Sequence, residues 1–414
     1  MLPRILITGM GVISAAGVGL DALLHVLRNG RSCVRQIDTF DTSDLSCKFG
    51  AAANVFEPRD FLSGREIKRL DRSAQLFFAA GHMALADSAL LNGKVDLERV
   101  GVFEGTSLGG LSRTLAEHEI LLAKGAHFVN PYLLSAAMTG AGGSMLSLMH
   151  HLHGPAMAFS NGSISSACAM AAGAQQLRLH EIDAAVVGGG EAPLSFPVMA
   201  LFCRAGLLST RNDSSATACR PFDATRDGVV LGEGGAALIL ERFESARQRD
   251  VKIYGEVLSA AFTSEAHNFV APAPDAVQQA RALQLAFSQA AVQPDQIDCI
   301  SAHGTSTPLN DRLETQAIKQ AFGSRANKTP ICAIKSMVGH ALGACAAVET
   351  VATLLAMQQQ FVPPTINLTT PDSECDLDYV PNFARRQAVD LAVVKNASFG
   401  GKNSAILLRN WRTQ

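Results

Sequence analysis

Residues 174–192 read AQQLRLHEIDAAVVGGGEA: a helical stretch, a polar turn, a short apolar run and three glycines. An apolar run of that length, bounded by a turn and a glycine cluster, fits a strand buried on both faces. The same succession recurs along the chain. RILITGMGVIS reads as a strand entering a glycine turn, and DALLHVLRNG as a helix closed by Gly30. SAQLFFAAGHMALADSALL has helical spacing, and RVGVFEGTS is a strand leading into a Gly-rich loop. Beyond residue 250 the pattern restarts, with AVQQARALQLAFSQAAV as helix, IDCISAHGTST as strand and CAAVETVATLLAMQQQ as helix. LAVVKNASFGGKNSAILLRN closes the chain as a hairpin. This alternation predicts an α/β protein with largely parallel sheets covered on both faces. Glycine-rich strand ends near 188–190 and 400–401 point to a duplicated unit, one half at 1–250 and the other at 251–414. No low-complexity linker separates the halves, so they are expected to pack as one body.

A chain of 414 residues exceeds one ordinary core. With 48% hydrophobic and 17% charged residues it reads as a well-buried protein, which excludes a disordered class. A net charge of −2 gives no global attraction to nucleic acid or anionic membranes, so any electrostatic partner must meet a local patch. The nine cysteines include no C-x-x-C pair. That argues against a zinc ribbon or a thioredoxin-type motif and suits a reducing cytoplasm. The start of the chain lacks an A-x-A cleavage pattern, and the apolar window AAVVGGGEAPLSFPVMALF carries Glu191 and two prolines. Neither a signal peptide nor a membrane span is predicted, and a cytoplasmic location is expected.

Gly9 and Gly11 are followed by Val-Ile-Ser, not by the spacing of a dinucleotide fingerprint, so GMG reads as a tight strand-to-helix turn. His150, His151 and His153 lie in MHHLHGP. Neighbouring positions on a helix point about 100° apart, so this run reads as a solvated helix end and no metal is expected. SAHGTSTPLND is more telling, because His303 stands at the end of an apolar strand, where α/β folds place chemistry. AIKSMVGHALGA adds Lys335 and His340 in a similar setting. Two imidazoles and an ammonium at loop mouths form a set that a lone core histidine does not explain.

ITGMGVIS, LSTRND, RPFDATRDGVVLGEGGAALILE, AHGTSTPLND, KSMVGH, PPTINL and NASFGGKN, in this order, resemble the β-ketoacyl-[acyl-carrier-protein] synthases of fatty acid and type II polyketide synthesis. The resemblance spans essentially the whole chain. It implies a thiolase-type five-layer αβαβα fold of two similar halves, paired as a homodimer or as a heterodimer with a ketosynthase-like chain-length factor. It further implies His303 and His340 as catalytic histidines, Lys335 as their lysine and Glu349 as a carboxylate behind the site. Thr305 and Thr307 match positions that hold the phosphopantetheine arm of an acyl carrier protein. Phe399 matches the residue whose N–H helps to form the oxyanion hole, and Gly400 supports it. No cofactor of the chain's own is implied, since the substrate arrives on the carrier. The residue types suit the chemistry: loss of CO₂ from a malonyl thioester builds charge on the thioester oxygen, which imidazole N–H groups stabilise.

The nucleophile of this family is a Cys in a sharp turn that opens a buried helix, where the helix N-terminus lowers the thiol pKa. In SNGSISSACAMAAGA the candidates are Ser163 and Cys168. Gly154-Pro155 upstream, with Leu177, Arg178, Glu181, Asp183 and Gly188-Gly189 downstream, match the family without gaps when the nucleophile position is Ser163. Choosing Cys168 requires five residues inserted before it and five removed after it. It would otherwise lie about 7.5 Å along the helix and about 140° around it. Ser163 is therefore assigned to both the nucleophile and the oxyanion-hole position. A hydroxyl ionises far less readily than a thiol of pKa about 8.5, and no adjacent base for a Ser nucleophile is implied. The expectation is slow acylation, with a deliberate Cys→Ser change in an otherwise active synthase as the simplest reconciliation. NASFGGKN is also shorter than the N-x-F-G-F-G-G run of relatives, which removes the basis for a swinging Phe399 gate.

REIKRLDR places Arg65, Lys68, Arg69 and Arg72 at i, i+3, i+4 and i+7, one face of a helix. The resemblance places carrier docking here, on Arg65, Lys68 and Arg69. Two functions compete: an elongating ketosynthase, and a non-catalytic chain-length-factor-like subunit. Intact AHGTSTP and KSMVGH favour the first, and Ser163 the second. A thiolase is disfavoured, because that branch uses a second Cys near the C-terminus.

Overall fold

The apolar runs form the inner strands. In the computed structural model, which describes residues 3–92 and 95–411, eleven strands build the main sheet: five from each half, and the short Gly17–Val18, which pairs only with the first strand. The first half supplies β1 (Ile5–Ser14), β2 (Val100–Gly105), β3 (Ala156–Phe159), β4 (Ala184–Glu191) and β5 (Gly234–Arg242). The second supplies β6 (Gly255–Ser264), β7 (Cys299–Ser301), β8 (Ile331–Cys332), β9 (Leu391–Ser398) and β10 (Lys402–Asn410). From the centre outward the first half runs β1-β5-β4-β2-β3, and the second runs β6-β10-β9-β7-β8. Strand order and strand sense are the same in both, which makes the duplication visible in the topology. The halves join where Ile5 pairs with Val257 and Ile7 with Gly255.

The sheets are mixed, not largely parallel. β4–β2 and β2–β3 are parallel, as are β9–β7 and β7–β8, but β5 and β10 run antiparallel to both neighbours. For β10 the reason is local: Phe399–Gly401 form a three-residue turn in which Gly400 (φ 81°) and Gly401 (φ 66°) adopt the left-handed backbone open to glycine.

The helices that frame the site and its layers include α1 (Leu20–Asn29, ended by left-handed Gly30), α2 (Gly64–Ile67), α3 (Arg72–Asp87), α4 (Ala141–His150) and α5 (Ser165–Arg178). The second half adds α6 (Val277–Ala290), α7 (Pro308–Phe322), α8 (Lys335–Val338) and α9 (Cys345–Gln359). α5 and α9 touch each other and lie between the two sheets, with every residue from Cys345 to Met357 buried. A helix with no solvent-facing side over those residues suits that middle layer, its buried Glu349 being paired with Lys335. α3 and α4 cover the outer face of the first sheet, and α6 and α7 that of the second, which completes the five layers.

The single basic helix face expected of REIKRLDR is not formed. Ser63 opens α2 with a capping box, buried Leu70 and Asp71 interrupt the helix, and the Asp71 side chain accepts from Ser73 N–H to start α3 afresh. Arg72 is thereby turned to an ion pair with Glu233 at 2.9 Å. Arg65 and Lys68 stay exposed, and the Arg69 guanidinium lies 4.9 Å from the Tyr132 ring centre. His150 ends α4 beside His82 (3.2 Å), and His151 takes the left-handed cap. No group of three or more His, Cys, Asp or Glu among the described residues could hold a metal, and no described helix is long and apolar enough to cross a membrane.

Candidate active site

Ser163 stands two residues before α5, in a turn tied by its own side chains. Ser165 Oγ accepts from Asn161 N–H (2.8 Å) and donates to the Gly162 carbonyl (2.6 Å). Gly162 has φ 63°, so the reversal that presents Ser163 at the helix start falls on a residue without a Cβ.

His303 leaves the end of β7 in a loop held by the first two turns of α7. The Glu314 carboxylate accepts from the N–H groups of His303 and Gly304, each at 2.8 Å, and Asp311 accepts from Thr305 N–H at 3.1 Å. Thr307 caps α7, and its hydroxyl meets that of Thr305 at 2.9 Å. Asp311 lies in the first turn of α7 and Glu314 one turn further in, and burial pushes the Asp311 carboxyl up to about 6. Lys395, fully buried, balances Glu314 at 3.1 Å.

His340 follows left-handed Gly339 and is fixed by backbone bonds to Val230 and Gly232. Its Nε2 lies 3.0 Å from Ser163 Oγ, so an imidazole does stand within reach of the serine, contrary to the expectation of no adjacent base. The His340 Nδ1 has no hydrogen-bond partner among the described residues. Lys335 pairs with Glu349, both buried, and its Nζ is 3.4 Å from His303 Nδ1. Asn396 Nδ2 donates to the other Glu349 oxygen (2.6 Å) and also approaches His303 Nδ1 at 3.4 Å.

The two neighbours of His303 Nδ1 are both donors, so Nδ1 must be the acceptor and the proton of the neutral ring sits on Nε2. Burial, then the charges of Lys335, His340 and Lys395, hold His303 well below the usual imidazole range. Burial and Lys335 do the same to His340. Burial alone would lower Lys335, but Glu349 more than offsets it and keeps the ammonium above its ordinary value. The site is thus two neutral imidazoles, 5.3 Å apart between ring centres and edge to face, backed by one ion pair.

Ser163, His303, His340, Thr305, Thr307 and Phe399 line one cavity of about 270 Å³. Phe399 is half-exposed, and Gly400 lies in the hairpin turn with its N–H on the Phe269 carbonyl (2.7 Å). Glu349 and Lys335 stand behind the wall. Cys168 does not line this cavity; its sulfur accepts from Asn161 Nδ2 at 3.6 Å, and burial raises its pKa. Arg65, Lys68 and Arg69 do not line it either.

The descriptions "Beta-ketoacyl synthase, N-terminal domain" and "Beta-ketoacyl synthase, C-terminal domain" match residues 3–246 and 254–369. The chain belongs to the β-ketoacyl synthase family. It is 38% identical over 414 residues to the "3-oxoacyl-[acyl-carrier-protein] synthase 2" of Synechocystis sp., covering 99% of this chain and 98% of that one. It is 37% identical over 411 residues to the "Putative polyketide beta-ketoacyl synthase 1" of Streptomyces virginiae, covering 98% and 97%. Among solved structures, "The ishigamide ketosynthase/chain length factor" superposes with a TM-score of 0.93 at 31% identity, covering 100% of both chains. A type II polyketide acyl carrier protein in complex with its ketosynthase, AntDE:AntF, gives 0.91 at 29%, covering 99% of this chain and 100% of that one. The two-halved, five-layer arrangement is the thiolase-like fold of this β-ketoacyl synthase family.

Three groups around the family site escape a reading of motifs. Asn396 and Lys395 sit within the apolar run of β9, and two buried polar residues in such a strand were the available signal. Cys345, at the start of α9, donates its thiol to the Ser163 carbonyl at 3.2 Å, which nothing in its spacing announces.

Proposed function

We propose that the chain is a β-ketoacyl-acyl-carrier-protein synthase of fatty acid or polyketide elongation, an acyltransferase slowed by Ser163 at the nucleophile position. The observation that carries this reading is the convergence of Ser163 Oγ, His340 Nε2 and the His303 ring on one cavity. In acyl transfer, Ser163 Oγ attacks the thioester carbonyl and its proton passes to His340 Nε2. The C–S bond breaks, and the proton returns to the departing carrier thiolate. In condensation, malonyl-carrier loses CO₂, and the electron pair of the broken C–C bond is held as an enolate whose oxygen accepts from His303 Nε2–H. The enolate carbon attacks the acyl-serine ester, the new C–C bond forms, and Ser163 Oγ leaves and recovers a proton through His340. His340 adds a second donor to the enolate when its proton sits on Nε2. Lys335 and Asn396 keep His303 in the donor tautomer, and Glu349 holds both of them.

Thr305 and Thr307 would hold the phosphopantetheine arm, Arg65, Lys68 and Arg69 would meet the acidic carrier, and Phe399 N–H would join Ser163 N–H at the oxyanion. A second ketosynthase-like chain is the expected partner, as a homodimer or a heterodimer. Serine is both the harder nucleophile to ionise and the poorer leaving group, and His340 Nδ1 lacks an acceptor to stabilise the imidazolium. Replacing Ser163→Cys should raise condensation of an acyl thioester with malonyl-carrier at least about a hundredfold. An absence of any gain would turn the reading toward a silent chain-length-factor-like subunit, which Ser163 and the likeness to a ketosynthase/chain length factor structure favour.

A further inference from the structure

The run NASFGG ends β9 at Ser398, paired with Lys402, and leaves only Phe399–Gly401 for the turn. At that strand end the Ser398 hydroxyl accepts a hydrogen bond from Ser163 N–H at 2.9 Å. The approach depends on Gly162, because a Cβ there would lie 2.0 Å from Ser398 Oγ. Ser398 is half-buried and lines the same cavity as Ser163, His303 and His340.

An oxyanion forming on a carbonyl carbon attached to Ser163 Oγ needs that residue's N–H as a donor at about 2.7–3.1 Å. The Ser398 oxygen already occupies this position. A thioester oxygen and a hydroxyl oxygen cannot share it. In this chain Ser398 stands immediately before Phe399, at the end of β9.

We propose that Ser398 is a positioning residue that stoppers the oxyanion donor of Ser163, so the resting site admits a thioester carbonyl only when the hydroxyl turns away. The inference rests on the reading of Ser163 as the acyl acceptor. It locates a second brake on acylation, independent of the atom at position 163, in the shortened β9–β10 turn.

The test uses the full chain, Ser163→Cys, Ser398→Gly, Ser398→Ala and the double variants, with octanoyl-pantetheine as acyl donor. Pantetheine release and acyl-enzyme mass are followed with time. Both Ser398 variants should raise the acylation rate constant about tenfold on either nucleophile, with KM for the donor unchanged within about twofold. Ser398→Ala keeps the strand residue and removes only the hydroxyl, so it carries the test if glycine loosens the turn. Acylation of Ser163→Cys that the Ser398 variants leave unchanged or slow overturns this proposal alone, and slowing would make the hydroxyl a donor instead. Failure of Ser163→Cys and of the double variants to acylate overturns the acyl-acceptor reading and this proposal with it.

Discussion

The loops after β2 and after β7 occupy the same place in the two copies of the fold, and they have been put to different uses. After β2, Glu191 accepts from Ser107, Leu108 and Gly343 N–H groups and from the Thr106 hydroxyl, and the loop presents no titratable side chain to the cavity. After β7, Glu314 and Asp311 anchor the backbone in the same manner, and the loop presents His303. The two anchoring carboxylates are kept from being bare buried charges in different ways. Burial pushes the Glu191 carboxyl up to about 7, so a proton can neutralise it, whereas Glu314 has Lys395. The first half gives the site its turn and helix start at Ser163. The second gives it both imidazoles and their ammonium.

The largest effect expected from this difference is on stability. Lys395→Met should leave Glu314 as an uncompensated buried charge and cost about 3–5 kcal/mol. Urea unfolding of the intact chain measures it. A cost near 1 kcal/mol would mean that the two backbone N–H groups suffice, and the two loops would then be equivalent after all.

How legible this was depends on the kind of signal. Apolar runs and glycine ends marked most of the strands, because a strand buried on both faces admits a charge only where a buried partner meets it, as Glu314 meets Lys395. The hairpin of β9 and β10 was legible from its glycine turn, whereas the antiparallel β5 was missed, since an apolar run states that it is buried and not which way its neighbours run. His303, His340 and Lys335 were legible because reactive side chains at strand ends are unusual. Asn396 and Lys395 were not, because their partners Glu349 and Glu314 are distant in sequence and only the fold brings them together. The basic helix failed for a local reason: spacing placed four cations on one face, but the capping carboxylate of Asp71 and buried Leu70 broke the helix between them.

The next effect in size concerns pH, and the two imidazoles and Glu191 should tilt it in opposite directions. His303 and His340 are held neutral in the fold, so below an unfolded pKa of about 6.5 the unfolded chain binds more protons, and stability falls as pH falls. Glu191 is held protonated, so between about 4.5 and 7 the folded chain binds more protons, and stability falls as pH rises. Each group contributes up to about 1.4 kcal/mol per pH unit within its window. Relative to the parent, His340→Asn should therefore lose stability steadily from pH 4.5 to 6.5, and Glu191→Gln should gain it. Denaturant midpoints of the three chains across that range measure the tilts, and tilts of the same sign would break the contrast.

The smallest effect tests whether the first half also meets the carrier. Arg65 and Lys68 are exposed on that half, while Thr305 and Thr307 lie in the cavity wall contributed by the second. Charge reversal at Lys68 and Arg69 should raise KM for an acyl carrier protein substrate several-fold at low salt and much less near 0.5 M, where the Debye length is only about 4–5 Å. Thr305→Val removes a hydroxyl contact inside the cavity, so its several-fold rise in KM should not depend on salt. Steady-state kinetics at the two salt levels separate them. If the cation variants are as salt-independent as Thr305→Val, the broken helix carries ordinary surface charge, and recognition of the substrate belongs to the second half along with the chemistry.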